Sequence, residues 1–411
     1  MIGACVAAVT AALTVGLTGV ATGGGFSGRA ARTGDERLVQ YPGAGFGGFD
    51  GQITHARRTI DMEMYELADS TVERDLVAAA RRDVRVRVLL DKDFSGGEVN
   101  RAAARYLAAR GVRVKWAPAG YIFHIKATSF DGTTSDISTA NLVAKYYPTT
   151  RDAEIVDTDP AQVHAIEATF ANDWAAGPSG VPRAQTVQGP GLVWSPNTGP
   201  GTAETALVKE IRAARRTVEF ESEELADPAI SGALAADARR GVSCRVVMTR
   251  SSEWAAAFRE ITAAGCRVHL FPDSDTALYI HEKLILDDGT TAHETMLIGS
   301  QNASVTSLTR NRELGILLGR GHGGAAAIAA AGDTFAADFR HASPWSSPTR
   351  QPPPPSRPKP TTGACHPRTS SGNCYEPGEL CSDADHGMKG VAGDGEPIVC
   401  RDNDGWRWEP R

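Results

Sequence analysis

Short apolar, β-branched runs recur along this chain between longer Ala/Arg-rich stretches, and the two kinds alternate. Residues 84–90 (VRVRVLL), 113–116 (RVKW) and 244–248 (CRVVM) predict strands, because such side chains fit a pleated surface. Residues 70–82, 100–110 and 230–240 predict helices. Alternation at this spacing implies an α/β chain with mixed, largely parallel sheets covered by helices.

The pattern then repeats. ARRTIDMEMYELAD (56–69) returns as ARRTVEFESEELAD (214–227), RVRVLLD (85–91) as SCRVVMT (243–249), and GVRVKWAP (111–118) as GCRVHLFP (265–272). Each half closes on a helical segment, TFANDW (169–174) or TFAADF (334–339). The chain is therefore a duplication, and two similar lobes are expected at residues 36–183 and 190–342. A Pro-rich stretch at 343–363 predicts an extended linker. Residues 364–411 form a tail short enough to need disulfides to fold.

The two ends differ from the middle. Met1 to Gly28 contains no Asp, Glu, Lys or Arg, and its Ala/Val/Leu-rich run gives way to Gly23, Gly24 and Gly25. Residues 1–30 read as a secretory signal peptide, with a retained anchor as the rival reading. Of seven cysteines, Cys5 lies in that segment and six remain, an even number suited to complete pairing in an exported protein. Cys244 and Cys266 fall on strands expected to be neighbours, where the first half has Val86 and Val112, so a structural disulfide is expected there. Cys365, Cys374, Cys381 and Cys400 crowd the tail. In the tail, Trp406 and Trp408 share one face of an extended segment, either as that module's core or as a stacking surface for a sugar or membrane. A formal net charge of −6 with no long basic run argues against a dedicated nucleic-acid binder.

His-x-Lys-x4-Asp occurs twice, as HIKATSFD (124–131) and HEKLILDD (281–288), and each copy is followed by a small-residue turn ending in Asn, STAN (138–141) or GSQN (299–302). On a strand, His124 and Lys126 would project to one face, as would His281 and Lys283, with the apolar run 284–286 buried behind the second pair. Two lysines aimed at the oxygens of a phosphodiester would neutralise both its ground state and the extra charge of a pentacoordinate transition state. The usual metal-ligand groupings are absent, so metal-independent chemistry without a cofactor is expected.

These paired motifs, their turns and the surrounding repeat resemble the phospholipase D superfamily from about Gln40 to about Phe339. The first turn departs from the usual Gly-Ser form. The resemblance implies two pseudo-symmetric phospholipase D-like lobes facing one cleft, so that the expected fold is α/β with mixed sheets flanked by helices, to which the Cys-rich tail adds a small disulfide-rich C-terminal module. It further implies that one histidine attacks phosphorus while the other serves the leaving alcohol and then water, with His124 as nucleophile and His281 as acid/base. Lys126 and Lys283 would hold the phosphate. Thr139, Asn141, Ser300 and Asn302 would hydrogen-bond its oxygens or steady the motif.

A carboxylate downstream of each histidine would orient it. The alignment of RDAEIV with RELGIL nominates Asp152 and Glu313, with Glu154 as competitor to Asp152. Asp131 and Asp288 are expected to brace their lobes, and Asp136 to be solvated. In the acidic cluster Glu219, Glu221, Glu223 and Glu224 the first three alternate onto one face, and the cluster is read as a solvated edge or as partners of Arg215 and Arg216, with a cationic-headgroup site as the other reading.

The function implied is a secreted phosphodiesterase releasing a headgroup alcohol and phosphatidic acid from glycerophospholipids, or transferring the phosphatidyl group to another alcohol. Its partner would be a phospholipid at a membrane or micelle surface, met by a monomer with no stable protein partner. A metal-independent nuclease of the same superfamily and a degenerate cell-surface binding protein are the alternatives.

Overall fold

A computed structural model describes residues 36–92, 96–118, 120–177, 186–196, 202–288, 294–320, 324–346, 365–369, 372–393, 395–402 and 406–411. The expected signal peptide, and all but the first four residues of the Pro-rich segment, lie outside the described residues. The chain divides into two compact units, Met1–Trp345 and Ser346–Arg411.

In the first half of the larger unit run β1 (Arg37–Tyr41), β2 (Thr59–Met64), β3 (Leu67–Ala68), β4 (Arg85–Leu90), β5 (Arg113–Trp116), β6 (Lys126–Phe130), β7 (Thr134–Ser138), β8 (Leu142–Val143) and β9 (Thr150–Asp157). Helices α1 (Gly47–His55), α2 (Ser70–Arg81), α3 (Gly96–Ala108) and α4 (Pro160–Ala176) separate them. The second half has β10 (Leu192–Ser195), β11 (Thr217–Glu221), β12 (Ser243–Thr249), β13 (Arg267–Phe271), β14 (Tyr279–Ile280), β15 (Leu284–Asp287), β16 (Thr295–Gly299), β17 (Glu313–Gly319) and β18 (Ser343–Pro344). Its helices are α5 (Ala203–Ala213), α6 (Pro228–Arg239), α7 (Ala255–Ala264), α8 (Val305–Thr309) and α9 (Ala325–His341).

Two eight-stranded sheets result: seven strands of the first half in the order β1-β9-β7-β6-β2-β4-β5, with β14 of the second half added beside β9, and eight of the second in the order β10-β17-β16-β15-β11-β12-β13-β18, so the duplication in sequence is a duplication in topology. Pairing is parallel only through β2-β4-β5 and β11-β12-β13 within each order, and antiparallel elsewhere. The sheets are mixed, then, and not largely parallel as expected. A parallel neighbour needs a helical crossover, which the chain has before β4 and β5; after them it turns back through short connections that allow only antiparallel pairing.

The repeated segments owe their shape to their charges. Asp69 and Asp227, at the end of each ELAD, cap α2 and α6, accepting from Thr71 and Val72 or from Ala229 and Ile230. Asp131 and Asp288 take positive φ values of 56° and 51° at the ends of β6 and β15. There each carboxylate accepts the backbone N–H groups of the facing Arg-Arg-Thr turn, residues 57–59 or 215–217. Cys244 and Cys266 form a buried disulfide that ties β12 to the start of β13.

Each lobe packs its own layer, Ile60, Val88, Leu76 and Leu107 in one and Val218, Val246, Leu234 and Ile261 in the other. A third cluster draws on both halves, with Phe123, Ile125 and Ile155 against Ile280, Leu284, Ile316 and Phe335. Backbone crosses too: the second half's β14 pairs in parallel with β9 of the first. Arg151 binds Asp338 of α9 through two bonds of 2.6 and 2.9 Å, and Arg312 binds Asp173 of α4 at 2.6 and 2.9 Å. Neither side chain of the Arg312–Asp173 pair is exposed (0% and 0%). Deleting one partner strands the other charge in the core, so Asp173→Ala is expected to lower stability by about 3–5 kcal/mol. Urea unfolding monitored by circular dichroism should show this as a lower midpoint with an unchanged slope.

The smaller unit is a three-stranded antiparallel sheet of β19 (Lys389–Val391), β20 (Pro397–Asp402) and β21 (Trp406–Pro410). It is stapled by Cys365–Cys374 and Cys381–Cys400. Trp408 is its core, fully buried with Ala392 and Ile398, while Trp406 is half-buried and stacks on His386 at 3.8 Å. No described helix is long and apolar enough to cross a membrane.

Candidate active site

The His-x-Lys tripeptides do not lie within strands as expected. Each leads into one: β6 begins at Lys126, and β15 begins one residue after Lys283. Bonds to the opposite half hold these segments in place. The N–H groups of His281 and Glu282 donate to the Arg151 carbonyl at 3.1 and 2.8 Å, and Arg312 N–H donates to the Ile122 carbonyl at 2.9 Å beside a Phe123–Arg312 bridge. Both lysine side chains fold back so that Nζ donates to the carbonyl of its own histidine, Lys126 to His124 at 2.8 Å and Lys283 to His281.

The two carboxylates nominated from the sequence are the two that meet the rings, and they do so crosswise. His124 Nδ1 lies 2.9 Å from Glu313 Oε2, and His281 Nδ1 lies 2.7 Å from Asp152 Oδ1. Each half therefore orients the other half's histidine. Donating Nδ1–H to a carboxylate turns Nε2 of each ring to chemistry, as a lone pair on a neutral ring or as an N–H on a protonated one. Glu154, the competitor, sits elsewhere and accepts from Tyr41 Oη at 3.1 Å.

The turn hydroxyls expected at a phosphate are already committed. Thr139 Oγ1 donates to Asp152 at 2.6 Å and accepts from Ala153 N–H, while Ser300 Oγ donates to Glu313 at 2.6 Å and accepts from Leu314 N–H. Both are fully buried and brace the carboxylates, the second of the two roles expected of them. Asn141 and Asn302 donate to Glu66 and Glu224 at 3.2 and 3.1 Å. The second turn needs its glycine for room, since a Cβ on Gly299 would lie 2.3 Å from Gly315 Cα.

Sequence reasoning missed Ser307, whose hydroxyl donates to Glu313 Oε1 at 2.6 Å from α8, a helix too short to show a period. It also missed Glu66, although Glu66 holds the place in the repeat that Glu224 of the acidic cluster holds in the second half, which was the available signal.

Two expectations about charge are overturned. Asp136 is buried, not solvated; it accepts from Gln52 at 2.6 Å, and burial beside Glu154 pushes its carboxyl well up. Glu219, Glu221 and Glu223 form no solvated edge and do not pair with Arg215 or Arg216. Glu219 pairs with Arg245. Glu221 is fully buried and pushed well up by burial and by Glu282, while Glu223 reaches into the site. Asp136 and Glu219 go inside because remote segments supply their partners, Gln52 and Arg245, whereas Glu221 goes inside with its carboxyl shifted toward the neutral form.

Burial sets the protonation states. It lowers the His124 pKa, an effect opposed by Glu313 and reinforced by Lys126, so the ring is neutral at neutral pH. It also brings Lys126 down to about 7. Burial alone would raise Glu313, but the His124 ring, its hydrogen bond and Lys126 hold that carboxyl below its ordinary value. The halves differ in one further respect. Glu223 Oε2 lies 2.9 Å from Lys283 Nζ and 3.5 Å from His281 Nε2, whereas its counterpart Tyr65 sets its ring against His124 at 4.6 Å between centroids. Among the described residues no group of three His, Cys, Asp or Glu side chains is disposed to hold a metal ion.

Comparison with known proteins bears on the family and the fold. A family profile described as the PLD-like domain of cardiolipin synthase matches residues 50–174 and 207–326, one segment per lobe. The mitochondrial cardiolipin hydrolase of Xenopus laevis is 24% identical over 123 residues, covering 30% of this chain and 58% of that protein. The fold is similar to that of phosphatidylserine synthase from Haemophilus influenzae, with a TM-score of 0.58 at 12% identity, covering 76% of this chain and 87% of that one. Polyphosphate kinase from Porphyromonas gingivalis gives a TM-score of 0.53 at 15% identity, covering 69% and 44% of the two chains.

Proposed function

The chain belongs to the PLD-like domain family of the phospholipase D superfamily, and from that premise we propose that it is an exported phosphodiesterase that hydrolyses glycerophospholipids at the alcohol side of phosphorus. The observation that carries the reading is the crossed pair of histidine–carboxylate bonds, His124–Glu313 and His281–Asp152, each ring followed by an inward lysine.

His124 Nε2 attacks phosphorus while His281 gives a proton to the departing headgroup alcohol, leaving phosphatidyl-His124. His281, now neutral, takes a proton from water as its oxygen attacks phosphorus and the P–N bond breaks, releasing phosphatidic acid and restoring both rings. Another alcohol in place of water would give transphosphatidylation. Lys126 and Lys283 neutralise the equatorial oxygens. Three disulfides among the described residues support an oxidising, extracellular location.

The test is turnover in EDTA by the purified chain, with phosphatidylcholine vesicles and supercoiled DNA offered in parallel. Choline release is the expected result; DNA nicking without choline release would replace the lipase with a nuclease.

The acid–base behaviour adds a second check. Lys126 holds phosphate only when protonated, and its pKa is about 7. As pH rises through that value the free site loses the charge, so kcat/KM is expected to fall roughly tenfold per unit above it. Bound phosphate restores the charge, so kcat should fall less. A kcat/KM flat to pH 9 would remove Lys126 from phosphate binding.

A further inference from the structure

We propose that Glu223 is a specificity-determining residue: a fixed counter-charge on Lys283 and His281, it admits diesters with one negative charge and a neutral or cationic leaving alcohol and turns away polyanions. The proposal rests on the reading of the site as a phosphodiesterase.

Three observations carry it. The Glu223 carboxylate is held at three points, by Lys283 Nζ at 2.9 Å, by Tyr279 Oη at 3.0 Å, and against His281 Nε2 at 3.5 Å. Tyr279 belongs to β14, which is paired with the other lobe, so this grip is part of the framework and not a loose surface contact. With 22% of its side chain exposed, Glu223 remains within reach of a bound molecule.

The pseudo-twofold axis makes the second point. At the matching place in the first half stands Tyr65, whose ring lies 5.0 Å from Lys126 Nζ. One active-site lysine thus faces a neutral ring and the other a carboxylate. A phosphate entering between them meets Lys126, whose ammonium bonds the His124 carbonyl, and Lys283, whose ammonium is already ion-paired with Glu223, an asymmetry that suits the single charge of a diester. A nucleic acid or a phosphomonoester brings more charge than the site balances.

Position supplies the third. His281 serves the leaving alcohol in the proposed reaction, so the Glu223 carboxylate lies on the side from which the headgroup departs. A cation on that headgroup is attracted and an anion repelled, and selectivity arises from the repulsive element as much as from the attractive one.

The experiment compares wild type with Glu223→Gln and with Glu223→Tyr, the residue the first lobe uses. Four substrates are measured: diheptanoyl phosphatidylcholine and diheptanoyl phosphatidylglycerol in mixed micelles, a single-stranded oligonucleotide, and bis(p-nitrophenyl) phosphate as a small diester reference. The choline-to-glycerol ratio of kcat/KM is expected to fall about tenfold in both variants, with oligonucleotide cleavage rising against the reference diester. Ratios within twofold of wild type in folded, active variants would overturn the assignment. Equal loss on all four substrates would also overturn it, by giving Glu223 a part in the chemistry and none in selection. A wild type inactive on every substrate refutes the phosphodiesterase reading itself, an outcome distinct from unchanged ratios.

Discussion

Alanine at either His124 or His281 is expected to lower phosphodiester turnover by about 10⁴-fold, and the double variant is expected to be little worse, because the two rings act as one device. The single variants should nevertheless fail at different steps. A substrate with a p-nitrophenolate leaving group needs no proton to depart, so it bypasses the acid role of His281. His281→Ala should then release one equivalent of p-nitrophenol and stop, its phosphoryl group trapped on His124, since nothing activates water. His124→Ala should give no burst and no adduct. A burst in His124→Ala alone would reverse the roles. Turnover within tenfold of wild type in either variant would end the two-histidine mechanism.

Asp152→Asn and Glu313→Gln are expected to cost about 10³-fold each, since an amide no longer fixes the tautomer or stabilises the imidazolium that forms. The pattern is more telling than the size. His281 Nδ1 is held by Asp152 and His124 Nδ1 by Glu313. With the p-nitrophenyl diester, Asp152→Asn should therefore copy His281→Ala and keep its burst. Glu313→Gln should copy His124→Ala and lose it. Pairing within each half would produce the opposite assignment, so one stopped-flow series separates the two arrangements. Glu313 also collects Ser300 and Ser307 hydroxyls at 2.6 Å each, and Asp152 the hydroxyl of Thr139 at 2.6 Å. Thr139→Val and Ser300→Ala should accordingly weaken the same steps more gently.

Much of this site is legible in the amino-acid sequence. The duplication is visible because each half must fold the same βαβ unit and so keeps the same apolar positions, capping aspartates and Arg-Arg-Thr turns. His124, Lys126, His281 and Lys283 stand out as a repeated motif, and aligning the halves names Asp152 and Glu313. The Cys244–Cys266 bridge is legible where two valines of one copy become cysteines in the other.

Other features have no local signal. A symmetric repeat looks identical whether Asp152 serves His124 or His281, so only the packing of one lobe on the other chooses the crossed pairs. The sequence points to exposure for Asp136, Glu219 and Glu221 because a lone carboxylate is costly to bury. That rule is outweighed by partners from distant segments, Gln52 for Asp136 and Arg245 for Glu219, and at Glu221 by a carboxyl that burial shifts toward its neutral form. Thr139 and Ser300 suit a phosphate because a small polar turn favours an anion, yet the fold spends both hydroxyls on the orienting carboxylates. By itself, then, the sequence determined the repeat, the chemistry-bearing residues and the α/β class, which are written in local periodicity and residue type. Tertiary structure alone decided which carboxylate meets which ring, which acids go inside, and that Glu223 sits on one lysine while its twin meets tyrosine, because each depends on contacts between segments far apart in the chain.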